Sequence, residues 1–109
     1  MRLNNIFNNI PKDIPDELFE ELTVGDNIKI ERIISKGHSS PESGWYDQEN
    51  NEWVMVLKGE ASLTMINANG LEENITLVAG DYLNIPAHQK HKVSWTHPTL
   101  ETIWLAVHY

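Results

Sequence analysis

From Asn27 onward the chain breaks into short runs of β-favouring residues, each stopped within a few positions by a turn signal. The runs are Ile28 to Ile34, Gly44 to Asp47, Trp53 to Leu57, Ala61 to Ile66, Asn74 to Val78, Tyr82 to Ile85, Lys92 to Thr96 and Thr102 to His108. Asn67-Ala68-Asn69-Gly70 reads as a hairpin turn, and Gly59, Gly80 and Pro98 punctuate other connections. Eight such runs, with no long helical period and no internal repeat, predict an all-β chain whose two sheets close into a jelly roll. A length of 109 residues with 40% hydrophobic content supports one core. Trp53 to Leu57 and Ile103 to Val107 are apolar on both parities, so both of their faces are expected to be covered. One face lines the barrel and the other calls for a partner surface, which predicts a homodimer.

Residues 1 to 24 have a different texture and are read as an N-terminal arm preceding a barrel over 25–109. Pro15 suits a first helical turn, and Asp16 and Glu17 suit its positive end, so a short helix is expected there. The apolar side chains Leu18, Phe19 and Leu22 would then pack the arm over the domain or onto a second subunit.

Charge narrows the function. A formal net charge of -8 sets the surface against a phosphate backbone or an anionic membrane, so neither nucleic acid nor membrane is an expected partner. With no cysteine, disulfides, thiolate zinc sites and cysteine nucleophiles are excluded, and a metal would have to sit on His, Asp or Glu. The first residues lack the apolar stretch of a secretory signal, which leads to a cytoplasmic expectation. No Gly-rich phosphate loop, nucleophile elbow or His-Glu-x-x-His stretch is present, which disfavours covalent hydrolase chemistry.

The stretch Gly44 to Trp53 reads as strand, polar turn and strand, with Asp47 opposite Glu52 and Trp45 opposite Val54. If the Val54 and Val56 side is the interior, both carboxylates point into the barrel mouth, where their repulsion calls for a cation or a shared proton. His91 shares a strand face with Val93 and Trp95 and can supply an imidazole from the opposite wall. His88, in the turn after Pro86, either joins as a fourth ligand or faces water. The bland reading stands beside this one: a solvated carboxylate pair at a hairpin end, and an imidazole bonded to a backbone carbonyl.

The spacing of these residues resembles the cupin family, whose first motif ends in Glu, six residues and Gly, as in Glu52 to Gly59. Asp47 stands where that motif has its second histidine, and Trp45 where it has its first. The second family motif is matched at Gly80, Pro86 and His91 and departs at its inner glycine, which is His88 here. The resemblance implies a double-stranded β-helix barrel and a divalent metal held by Glu52 and His91, with Asp47 as a substitute ligand; His88, at the motif's glycine position, is a candidate fourth ligand from the strand reading alone. Carboxylates with imidazoles favour Mn or Fe(II), with Zn or Ni as alternatives. Trp45 cannot ligate, and with Trp95 it is expected to wall a substrate pocket. The implied function is a metal-dependent oxygenase or isomerase acting on a small polar metabolite. The alternative is a metal-free small-molecule-binding or sensing module without catalysis.

Overall fold

The computed structural model describes residues 1–41 and 44–109 and is all-β, with no helix among the described residues. Eight strands follow in order: β1 (Leu18–Gly25), β2 (Ile28–Ser35), β3 (Glu52–Lys58), β4 (Glu60–Ile66), β5 (Glu72–Val78), β6 (Tyr82–Ile85), β7 (His91–Thr96) and β8 (Thr102–His108). They form a five-stranded sheet ordered β1-β2-β8-β3-β6 facing a three-stranded sheet ordered β5-β4-β7. All pairings are antiparallel, and the chain crosses between sheets after β3, β5, β6 and β7. Seven of the eight expected runs are strands within a residue or two of their expected bounds. Gly44 to Asp47 is not a strand, and a strand appears instead at Leu18–Gly25.

The core lies between the sheets and follows strand alternation. Val54 and Val56 of β3, Trp104 and Ala106 of β8, and Ile33 of β2 meet Ala61, Leu63 and Met65 of β4 and Leu77 of β5. Each fully buried aliphatic side chain of this kind contributes about 1.5–3 kcal/mol.

The helix expected in the arm is replaced by β1. Leu18↔Ile34 and Phe19↔Ile33 put its residues in register with β2, and pairing continues to Gly25↔Ile28 past a bulge that leaves Leu22 without a partner. Pairing with β2 overrides the local helix signal, and as a strand the segment turns Glu17 and Phe19 to the inward face and Leu18 and Glu20 to the outer one. Residues 6–9 of the arm lie against the outer face of the larger sheet. There Arg32 of β2, only 5% exposed, donates to the carbonyls of Ile6, Asn8 and Asn9 and forks onto the Glu20 carboxylate at 2.7 and 2.9 Å. Ile34 and Ile103, paired on that same outer face, are fully buried yet stand apart from the main core. The chain's own arm therefore supplies part of the cover that both-parity apolar strands demand.

Candidate functional site

Strand parity aims a small set of polar side chains inward. On β3 the inward positions are Glu52, Val54 and Val56, so the carboxylate at the strand start heads an otherwise apolar stripe. On β7 the stripe begins with His91 and continues with Val93. The two strands belong to opposite sheets, and they bring His91 Nε2 to 3.4 Å from Glu52 Oε1, with both side chains about nine-tenths buried. His91 Nδ1 lies 2.9 Å from the carbonyl oxygen of Gln89, which can only accept, so Nδ1 carries a proton and Nε2 faces the carboxylate.

Burial pushes the His91 imidazole down. The hydrogen bond to Glu52, the Gln89 carbonyl and the Glu52 charge act the other way and prevail, so the net direction is up from the ordinary value near 6.5. A histidine raised on folding stabilises the fold fully below its unfolded value and loses that contribution as pH rises through its folded value. The urea midpoint is therefore expected to fall as pH rises above about 6.5. Glu52→Gln should flatten that decline; an equal slope in both proteins would show that the pair contributes nothing.

This pair opens onto a cavity of about 70 Å³ between the sheets, lined also by Glu17, Glu31, Tyr46, Gln48 and Trp104. Glu31, inward on β2, is 2.7 Å from His108 Nε2 and 3.7 Å from Lys29 Nζ. The Glu17 carboxylate accepts from Ser35 Oγ, which itself receives the Trp104 indole N–H at 3.3 Å. Tyr46 stacks on His91 with ring centroids 5.5 Å apart, and burial with the Glu17 and Glu52 charges raises its phenol above the ordinary range. Gln48 Oε1 is buried without a hydrogen-bond partner among the described residues.

The structure divides the four expected metal ligands into two pairs. Glu52 and His91 meet inside, whereas Asp47 and His88 meet at the surface, Oδ1 to Nδ1 at 2.9 Å, with side chains 45% and 66% exposed. The separation follows from strand pairing. Both edges of β3 are taken, by β6 and β8, so the segment around Tyr46 cannot fold back on β3 as a hairpin partner. It bridges His91 instead: Tyr46 N donates to the His91 carbonyl at 2.7 Å and His91 N to the Tyr46 carbonyl at 3.1 Å. With Tyr46 turned inward beside His91, its neighbours Trp45 and Asp47 point the other way.

His88 is exposed, with its backbone at φ 63 in the left-handed region. That conformation explains why a glycine suits this motif position.

Neither tryptophan expected in the pocket lines the cavity. Trp45 lies under Lys92, whose Nζ is 4.4 Å from the ring centroid. Trp95 is displaced by an irregularity in the β4–β7 register, which pairs it with Ser62 one residue out of step and leaves it 39% exposed. The aromatic wall is built from Tyr46, Trp104 and Phe19. Glu17, Glu31 and Gln48 carry no motif that marks them as site residues. The one signal in the sequence is alternation, since Glu31-x-Ile33-x-Ser35 puts a carboxylate on the inward parity of β2.

Glu52 and His91 offer one carboxylate and one imidazole, where a resident zinc or iron site uses at least three protein ligands. The other cavity carboxylates are turned to Ser35 and to His108, and no three His, Asp or Glu side chains among the described residues are grouped to hold an ion. The described donor set therefore does not fit a protein-held divalent metal. What the pair can do is hold a proton between Nε2 and Oε1, or present it to a ligand oxygen or nitrogen in the cavity.

Comparison with known proteins agrees with the architecture. A protein from Ralstonia eutropha JMP134, described as a candidate mannose-6-phosphate isomerase, is 41% identical, with a TM-score of 0.91 over 99% of this chain and 97% of that one. A cupin superfamily protein from Desulfitobacterium hafniense DCB-2 is 22% identical, with a TM-score of 0.72 over 91% of this chain and 82% of that one. A double-stranded β-helix cupin from Methanocaldococcus jannaschii superposes at 16% identity, with a TM-score of 0.68 over 92% of this chain and 85% of that one. No curated protein matches the chain. The cupin domain model matches residues 31–108, so this chain belongs to the cupin family.

Proposed function

We propose that this chain is a small-molecule-binding cupin module, in which a compact polar ligand sits in the interior cavity against the Glu52–His91 pair without a protein-held metal. The observation that carries this reading is the pair itself. Two ionisable groups are buried where solvation is poor, they face each other, and they open onto the interior cavity. A core that needed only packing would fill these positions with aliphatic side chains at lower cost.

Similarity to a candidate mannose-6-phosphate isomerase brings a sugar-phosphate reading with it. The cavity chemistry speaks against that ligand. Its lining includes Glu17, Glu31 and Glu52 and no lysine or arginine, so a phosphate dianion would meet like charges with one imidazole to offset them. The metal-dependent enzyme is the second reading, favoured by the orientation of His91, whose Nδ1–H bond to a carbonyl leaves Nε2 turned to the interior as in histidine ligands.

One preparation separates the two. Protein purified without added metal, with the variants Glu52→Ala and His91→Ala, is assayed by elemental analysis and by NMR shifts of cavity residues on adding small polar compounds. The binding module predicts no stoichiometric metal, and shifts that His91→Ala abolishes. Stoichiometric metal that disappears in both variants would overturn it in favour of the metal centre.

A further inference from the structure

We propose that the cavity is a site for a compact organic cation, a primary ammonium above all, and that Glu17 of the N-terminal arm is its anionic anchor. This inference rests on the small-molecule reading above and names its ligand class. Most of the cavity wall is apolar, and its charged or ionisable acids and bases are Glu17, Glu31, Glu52 and His91, with no lysine or arginine among the lining residues. Two of the carboxylates are already matched, Glu52 by His91, and Glu31 by His108 and Lys29. Glu17 makes no ion pair among the described residues. Its neighbour is the Ser35 hydroxyl, held in turn by the Trp104 indole, and this relay fixes the carboxyl group at the cavity wall.

Strand register explains the placement. Leu18 pairs with Ile34, so the preceding residue, Glu17, falls beside Ser35 on the inward parity of the sheet. Burial pushes the Glu17 carboxyl up from its ordinary value, against the Ser35 bond and the more distant His38, as expected of an anion short of a counter-charge. An ammonium group would supply that charge. The aromatic side chains Phe19, Tyr46 and Trp104 in the lining also suit a cation better than an anion. A volume of about 70 Å³ limits the ligand to a few heavy atoms. Glu17 lies upstream of residue 31, where the cupin match begins, so this anchor belongs to the arm and not to the matched family segment.

Three probes of similar size separate charge from shape: ethanolamine, ethylene glycol and glycolate, titrated into the intact protein near neutral pH. Binding is followed by the amide shifts of His91 and Val93 and the indole N–H of Trp104. Ethanolamine is expected to bind about tenfold or more tighter than the diol, with glycolate weakest. Glu17→Gln, which keeps an acceptor for Ser35, should remove that tenfold advantage, so that ethanolamine and the diol bind the variant about equally. Ser35→Ala, which keeps the charge but frees its orientation, should give an intermediate loss, and it decides the matter if Glu17→Gln does not fold. Equal or tighter binding of diol or glycolate, abolished by His91→Ala, would overturn the cation assignment while leaving the pocket intact. No shift with any probe would overturn both.

Discussion

Gly59→Ala is expected to destabilise the fold by about 4 kcal/mol, the summed effect of a forbidden backbone conformation and a steric overlap that cannot relax. Gly59 joins β3 to β4 where the chain leaves one sheet for the other, and it does so at φ 90. A Cβ there would stand 2.6 Å from the Glu101 carbonyl oxygen and 2.7 Å from the Thr102 Cα, both parts of the backbone. Thr102 is itself tied to the crossing: its hydroxyl donates to the Glu60 carbonyl at 3.1 Å and accepts from Glu60 N at 3.3 Å. The overlap can be relieved only by breaking that clasp. Gly70 supplies the control, since it has φ 76 but nothing within 4 Å of where an alanine Cβ would stand. Gly70→Ala should cost only about 1–2 kcal/mol, the strain of the left-handed region alone. Urea denaturation of the two variants checks the contrast. Equal midpoints would mean that the close approach at Gly59 is not what fixes the crossing.

The second large effect is expected at Arg32. Its guanidinium is buried against the outer sheet face and satisfies three arm carbonyls as well as Glu20. Arg32→Met keeps the length and apolar stem but strands those carbonyls and leaves Glu20 unmatched. Breaking a buried pair costs about 3–5 kcal/mol, and because Glu20 is one-third exposed and can return to water, the lower end applies. Without those bonds the arm should lift first, because Ile6, Asn8 and Asn9 are held to Arg32 through their backbone oxygens. Proteolysis before Leu18 should therefore accelerate well before global unfolding. A variant whose arm resists cleavage as the parent does would contradict this role.

The strands from β2 onward are legible in the sequence because each carries its own local signal, a β-branched or aromatic run closed by glycine, asparagine or proline. Gly59, Gly80 and Pro86 are legible for the same reason: each imposes a backbone geometry that few other residues can. The arm misleads because Pro15-Asp16-Glu17 satisfies local rules for a helix start, whereas β1 forms through partners on β2 that no local window contains. The site is half legible. Glu52 and His91 head apolar stripes on their own strands, and alternation alone points both inward. Asp47 joins them only if residues 44 to 53 form a hairpin, and that hairpin fails for a topological reason, the occupancy of both β3 edges. Trp95 is turned by a single bulge, which reverses a face without leaving any mark in composition. Glu17 enters the cavity through the pairing of β1 with β2, so its role depends on register, whereas Glu31 is marked only by the alternation of its own strand.

The central claim is that an imidazole from one sheet and a carboxylate from the other share the interior of the barrel. An NMR titration of the His91 ring tests it directly, in the parent and in Glu52→Gln. The expected result is a midpoint above the ordinary value near 6.5 in the parent, and a fall in the variant, where the Glu52 charge no longer opposes burial and the Gln89 carbonyl still does. A His91 ring that titrates at or below its ordinary value, and does so unchanged when Glu52 is neutralised, would contradict it.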